Sequence, residues 1–224
     1  MLSQLPKVTY ASLRGIRNAG AFILLLNSPL LAQPITLVAF GDSLTQGYGL
    51  PPEDGFVPQL QAWLTAAGED VVVINAGVSG DTTAGGASRI DWTLTPDVDA
   101  LIVNLGGNDM LRGVDPAESR SNLEAILVAA EAKNLPVLLV SLRAPGNYGA
   151  DFKADFDAMY GDLAAKYGDL LAENYFFPLI DQSSRLLDPT LMQADGIHPN
   201  AAGVAVAVTS LGPKVQKLLA QVAR

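Results

Sequence analysis

Five short apolar runs, separated by stretches of helical periodicity, constrain this chain more than any other feature. The runs are ITLVAF (35–40), VVVIN (71–75), ALIVNL (100–105), PVLLVSL (136–142) and YFFPLI (175–180). Unbroken apolar runs of this length suit strands buried on both faces, the usual environment of a parallel sheet. Pro178 places the fifth run at an edge, because proline cannot donate to a ladder. Between the runs lie helical segments. Residues 56–68 put Phe56, Leu60, Trp63 and Leu64 on one face and stop at Gly68. Residues 81–93 open on Asp81 as N-cap, although Gly85 and Gly86 weaken that helix. Residues 115–134 carry Asp115 as N-cap, Pro116 at N1 and Glu118 at N3. Their inward stripe is Leu123, Ile126, Leu127 and Ala130. Residues 151–167 read as a further helix, and 200–223 as a last one that Pro213 should kink or split. Alternating strands and helices of this kind give one α/β domain, a parallel sheet with helices on both faces. Ligands of such sheets bind beyond the carboxyl ends of the strands.

Composition narrows the chemistry. Apolar residues make up 49% of the 224 and charged residues 17%, so a large core is expected and disorder is not. With 23 acidic against 14 basic residues the net charge is −9. That argues against nucleic acid or an anionic membrane as partner, since both need a basic footprint. The chain has no cysteine, which excludes disulfide scaffolds, thiolate metal sites and cysteine nucleophiles. Its single histidine, His198, rules out any mechanism that needs two imidazoles from one chain. A metallophosphoesterase is disfavoured for the same reason, because one histidine supplies too few imidazole ligands.

The first 32 residues differ from the rest. Residues 1–20 hold Lys7, Arg14 and Arg17 and no acid; AFILLL (21–26) and NSPLLAQP follow. A basic segment, a short apolar stretch and a small residue at Ala32 have the form of a secretory signal peptide. Leu30 stands where such a cleavage site prefers a small residue, and the apolar run is short for a membrane span. The expectation is a signal peptide over 1–32, a catalytic domain over 33–224, and a periplasmic or secreted product with no stable membrane span.

Four polar segments sit at the strand ends. They are Gly41-Asp42-Ser43, the stretch from Asn75 to Asp81, Gly106-Gly107-Asn108-Asp109, and Asp195-Gly196-Ile197-His198-Pro199. Ser43 follows a glycine-bounded strand end; it can cap a helix or present a nucleophilic hydroxyl beside backbone N–H groups. Asp195 and His198 are three residues apart, so one tight turn can bring a carboxylate to an imidazole and fix its tautomer. The same pattern can equally be a capped surface turn. Gly80 and Asn108 can be turn residues, or a backbone N–H and a side-chain amide aimed at an oxyanion. Asp42, Asp81 and Asp109 read as loop-orienting and capping residues. Arg89, Arg112 and Arg143 could meet an anionic head group but read better as solvated.

Taken together, GDSLTQGYG, the glycine in NAGVSGDT, GGND and DGIHP resemble, in order and position, the SGNH (GDSL-type) hydrolases. The resemblance covers residues 35 to about 222. LGGNDMLRG (105–113), LRAPGNYG (142–149) and DGIHPN (195–200) make it most similar to the bacterial arylesterase and thioesterase/lysophospholipase branch. The resemblance implies a flavodoxin-like three-layer α/β/α sandwich with strand order 2-1-3-4-5. It implies Ser43 as nucleophile, His198 as base and Asp195 as its orienter. The oxyanion hole would be the Ser43 N–H, the Gly80 N–H and the Asn108 amide. No cofactor and no metal are implied. Gly77 in NAGVSG is a departure that could loosen its loop. The expected reaction is two-step acyl transfer on a short- to medium-chain acyl ester, aryl ester or thioester, lysophospholipid included, with acyl contacts from Leu111, Pro145, Asn147 and Tyr148. Two other readings stand beside it. One is a carbohydrate O-deacetylase, for which Trp92 is the one exposed-looking aromatic; the other is a non-catalytic envelope protein binding lipid or sugar.

Overall fold

The computed structural model describes residues 33–223. The signal peptide expected over residues 1–32 lies outside the described residues. Strand β1 (Ile35–Gly41) runs into a single-turn helix, α1 (Ser43–Gln46), and then α2 (Phe56–Ala66), β2 (Val71–Gly77) and α3 (Thr83–Thr93). β3 (Ala100–Asn104), the short α4 (Gly107–Arg112) and α5 (Pro116–Glu131) follow. The chain continues through β4 (Val137–Val140), α6 (Ala150–Tyr167), β5 (Leu170–Ala172) and α7 (Ala201–Leu219). The five strands form one parallel sheet in the order β2-β1-β3-β4-β5, as expected. Helices α2 and α7 pack together on one side, and α3, α5 and α6 form a row on the other.

The core forms where apolar strand residues meet these two layers. β3 and β4 are buried at every position, which their unbroken apolar sequences require. β2, at an edge, differs: Val71 and Val73 are buried, while Val72 and Ile74 on its other face are each 43% exposed. Register decides the geometry of the site. Gly41 on β1 pairs with Gly77 on β2 and with Asn104 on β3, so three strands end at one level and release their loops side by side.

Three local expectations are corrected. The fifth strand is not 175–180 but Leu170–Ala172, paired with Leu138–Val140. Gly168, at φ +72°, closes α6, and the chain enters the sheet two residues later. Residues 175–180 instead make a tight turn around Phe177–Leu179 with Pro178 near its start, and bury Tyr175 and Leu179. The N-cap of α3 is Thr82, whose hydroxyl accepts from the Gly85 N–H; the Asp81 carboxylate is held by Arg89 instead. Helix α7 is not split at Pro213. Both Pro213 and Thr209, the residue whose carbonyl loses its helical donor, are exposed, so water can satisfy that carbonyl. Asp115 and Pro116 open α5 as expected, with the Asp115 carboxylate accepting from the Ala117 N–H.

Candidate active site

The loop after β1 sorts the two readings of Ser43. The cap of α1 is Asp42, whose Oδ1 accepts from the Leu44 N–H at 3.0 Å. Ser43 is therefore the first residue of the helix, and its hydroxyl is not used for capping. Its Oγ lies 2.9 Å from His198 Nε2.

His198 is held by its own loop. Asp195 Oδ1 accepts from the backbone N–H groups of Ile197 (2.9 Å) and His198 (3.0 Å), and its Oδ2 lies 2.7 Å from His198 Nδ1. Hydrogen bonds from the His198 backbone N–H, the His198 ring and the Ile197 N–H hold the Asp195 carboxyl down at about 2. It is thus ionised at neutral pH and keeps Nδ1 protonated, which leaves Nε2 to face the serine. Two residues missed by sequence reasoning brace the histidine and its loop. The Gln193 N–H donates to His198 O (2.7 Å), and its Nε2 donates to Tyr48 O (2.8 Å) and Pro199 O (3.0 Å) and so ties this loop to the one after Ser43. The Tyr48 ring lies against the imidazole, with centroids 4.8 Å apart. Tyr48 stands in the quoted GDSLTQGYG stretch, and its position there was the available signal.

Gly80 and Asn108 come to the same place from β2 and β3. Gly80 sits at φ +84°, a conformation that a side chain would strain. Its carbonyl accepts from Arg112 Nη2 at 2.9 Å. Asn108 Nδ2 donates to Asp81 O at 2.9 Å and lies a long 3.5 Å from Asp42 Oδ2. Neither the Ser43 nor the Gly80 N–H has an acceptor among the described residues. Asp109, the next residue along, is fully buried and accepts from Thr83 N, Thr83 Oγ1 and Ser119 Oγ, which joins α3, α4 and α5. Asp42 is also buried, and burial pushes its carboxyl up to about 6, offset in part by the Leu44 N–H.

Two loop residues behave differently from expectation. Gly77 does not loosen its loop: a Cβ there would collide with the backbone of Gln46, so glycine allows β2 to close onto α1. Arg89 is not solvated. Its guanidinium donates to Asp81 Oδ2 (2.7 Å), Ala76 O (3.0 Å) and Gly41 O (3.0 Å) and covers the Phe40 ring at 3.9 Å. It therefore bolts together the ends of β1 and β2.

Ser43, His198, Gly80, Asn108 and Leu111 line one hollow of about 260 Å³, together with Tyr48, Met110, Phe176 and Ile197. Leu111 is the one expected acyl contact in it. Pro145 lines an adjoining hollow, while Asn147 and Tyr148 line neither. Tyr148 stands behind Leu111, its hydroxyl donating to Leu111 O at 3.2 Å. Phe176 and Ile197 were missed, Phe176 because the stretch around it reads as strand. Trp92 is 88% exposed on α3 and is not part of the hollow. Chemically, the arrangement offers a hydroxyl beside an imidazole, a carboxylate behind the imidazole, and N–H donors lining the same largely apolar hollow.

Residues 39–206 match the GDSL-like Lipase/Acylhydrolase family. The chain is 37% identical over 208 residues to Esterase TesA of Pseudomonas aeruginosa, covering 92% of this chain and 100% of that one. It is 35% identical to an Escherichia coli protein named as a thioesterase, protease and lysophospholipase, over 74% of this chain and 76% of the relative. Among solved structures, AlinE4, described as an SGNH-hydrolase family esterase, superposes with a TM-score of 0.69 at 41% identity. That match covers 84% of this chain and 98% of AlinE4.

Proposed function

The chain belongs to the GDSL-like lipase/acylhydrolase family and is a carboxylic ester hydrolase, and we propose that Ser43, His198 and Asp195 are its catalytic triad. One observation carries this reading: the unbroken line from Ser43 Oγ to His198 Nε2 (2.9 Å) and from His198 Nδ1 to Asp195 Oδ2 (2.7 Å), at the mouth of an apolar hollow. His198 Nε2 takes the hydroxyl proton as Ser43 Oγ bonds to the acyl carbon. The carbonyl oxygen becomes an oxyanion, which the N–H groups of Ser43 and Gly80 and the Asn108 amide receive. The imidazolium gives its proton to the leaving alcohol or thiol, and the acyl group stays on Ser43. Water then attacks the acyl carbon while His198 takes its proton, and the imidazolium returns that proton to Ser43 Oγ as the serine–acyl bond breaks and the acid leaves. Asp195 orients the ring and stabilises its cation throughout, without taking the proton.

The substrates in this reading are short- to medium-chain acyl esters and thioesters. The support is the size and apolar lining of the hollow, and the names of relatives that include esterase, thioesterase and lysophospholipase. The test is hydrolysis of p-nitrophenyl esters from acetate to palmitate, with Ser43→Ala alongside. Wild type should cleave the shorter esters fastest and react with a fluorophosphonate; Ser43→Ala should do neither. An undiminished rate in Ser43→Ala would end the proposal.

A further inference from the structure

The hollow beside Ser43 shares Met110, Leu111, Phe176 and Ile197 with an adjoining, larger one of about 820 Å³. Its walls are largely apolar, Leu186 and Leu187 among them, but they also hold Arg143, Lys153 and Arg185 and no carboxylate. In a chain with 23 acidic and 14 basic residues, this hollow reverses the overall balance. Lys153 is already engaged, donating to Ala144 O at 2.6 Å and Asp157 Oδ2 at 2.8 Å. Arg143 and Arg185 form no ion pair among the described residues.

Arg185 is also held in an unusual way. Its φ of +63° is left-handed, a conformation that glycine or asparagine adopts at lower cost. A tight turn imposes it: Asp181 Oδ1 accepts from the Ser183 and Ser184 N–H groups, and the Arg185 N–H donates to Asp181 O at 2.8 Å. This hydrogen-bonded turn places Arg185, which forms no ion pair among the described residues, at the wall of a largely apolar hollow. The planar guanidinium can grip carboxylate or phosphate with two parallel hydrogen bonds, and both arginines are exposed, so a ligand can reach them from solvent.

We propose that this second hollow is an anion-recognising subsite, in which Arg143 and Arg185 select esters whose apolar segment ends in a carboxylate or phosphate. The inference rests on the assignment of Ser43 as nucleophile, since the subsite is defined by its continuity with the hollow around that residue. The apolar walls between Ser43 and the arginines match the apolar segment, and the arginines match the terminal anion. A neutral chain of the same length would fill the walls and leave both guanidinium groups without a partner.

Two matched pairs of esters test it. One places the anion on the acyl side: the mono-p-nitrophenyl ester of suberic acid against p-nitrophenyl octanoate. The other places it on the leaving group: 4-(octanoyloxy)benzoate against its methyl ester. The readout is the ratio of kcat/KM for the charged and neutral members of each pair, in wild type and in the Arg143→Gln, Arg185→Gln double variant, with thermal unfolding to check that the variant folds. The ratio should fall about 10–100-fold in the variant for at least one pair, the scale of a lost charge-assisted contact. The pair that responds identifies which side of the ester carries the anion. A ratio that moves less than about threefold in both pairs, against that expected scale, overturns the proposal. Should wild type cleave none of the four esters, the Ser43 reading fails separately. Calorimetric titration with octyl phosphate then decides the subsite: binding by wild type that is lost in the double variant supports it, and equal or absent binding overturns it.

Discussion

Asp195 accepts two backbone N–H groups of its own loop as well as the imidazole, and those bonds separate its role from that of a base. Held at about 2, it has too little proton affinity to take the ring proton at neutral pH. Asp195→Asn keeps an oxygen for the Ile197 and His198 N–H groups but removes the charge and favours the wrong tautomer. It should lower kcat about 10⁴-fold while the fold survives, measured by steady-state hydrolysis beside circular dichroism. Asn108→Ala should cost about 10²–10³ in kcat with KM changed far less, because the amide's partner forms only in the transition state. Asp42 makes a different prediction. Its folded-state carboxyl is raised from 3.8 to about 6 by burial, so the native state binds the proton more tightly than the unfolded chain does. The resulting stabilisation is fully present below about pH 4 and is lost as pH rises through 6. Asp42→Asn retains a good helix cap and abolishes the titration. Its stability relative to wild type should therefore improve between pH 4 and pH 8, by on the order of 3 kcal/mol. Urea unfolding at the two pH values checks this, and a difference independent of pH would refute it.

At the scale of elements, the site depends on how β1 and β2 end together. Arg89 reaches from α3 to both strand ends and to Asp81, and Asp81 in turn positions the Asn108 amide through its carbonyl. Arg89→Met would leave the Asp81 carboxylate and two carbonyls without their donor, so it should destabilise the protein by about 2 kcal/mol. Because the Gly80–Asp81 turn loosens with it, kcat should fall along with the urea midpoint. A variant with unchanged stability and rate would show that the bolt is unnecessary. Arg89 also marks a limit of reading sequence. Its partners Gly41, Ala76 and Asp81 lie on other elements, and nothing in the surrounding residues of an otherwise ordinary helix signals them. The helix and strand signals that were legible are local: Asp115 and Pro116 at the start of α5, and the apolar runs of β1, β3 and β4. β5 was misplaced because Leu170–Ala172 is three residues long and indistinguishable from the tail of the preceding helix, whereas the more apolar 175–180 is bent into a turn around Pro178. Ser43, Asp195 and His198 stood out as a set because their segments, with those of Gly80 and Asn108, resemble a known family in order and position; read singly, each had a structural reading at least as good. Phe176 as a wall of the hollow required the fold, whereas Ile197 adjoins His198 in the DGIHP segment and could have been inferred from it.

At the scale of the whole molecule, the order β2-β1-β3-β4-β5 brings the loops after β1, β2 and β3 together at one edge, and the C-terminal Asp195–His198 turn joins them. The groups proposed to react thus come from four segments spread between Ser43 and His198, and their placement depends on the whole sheet. All five strands, both helical layers and every residue assigned to the chemistry lie within residues 33–223. The first 32 residues carry Lys7, Arg14 and Arg17 and no acid, so their removal makes the remaining chain more acidic. A chain of residues 33–224 should therefore unfold in one cooperative transition. It should also hydrolyse a soluble, uncharged p-nitrophenyl ester with a kcat/KM within about twofold of the full-length protein, a difference of about 0.4 kcal/mol, because every residue proposed to react lies within 33–223. Denaturant unfolding and steady-state kinetics on the two chains make the comparison. A shortened chain that melts in two steps or loses most of its rate would assign residues 1–32 a structural part in the catalytic domain, contrary to their reading as a removable export signal.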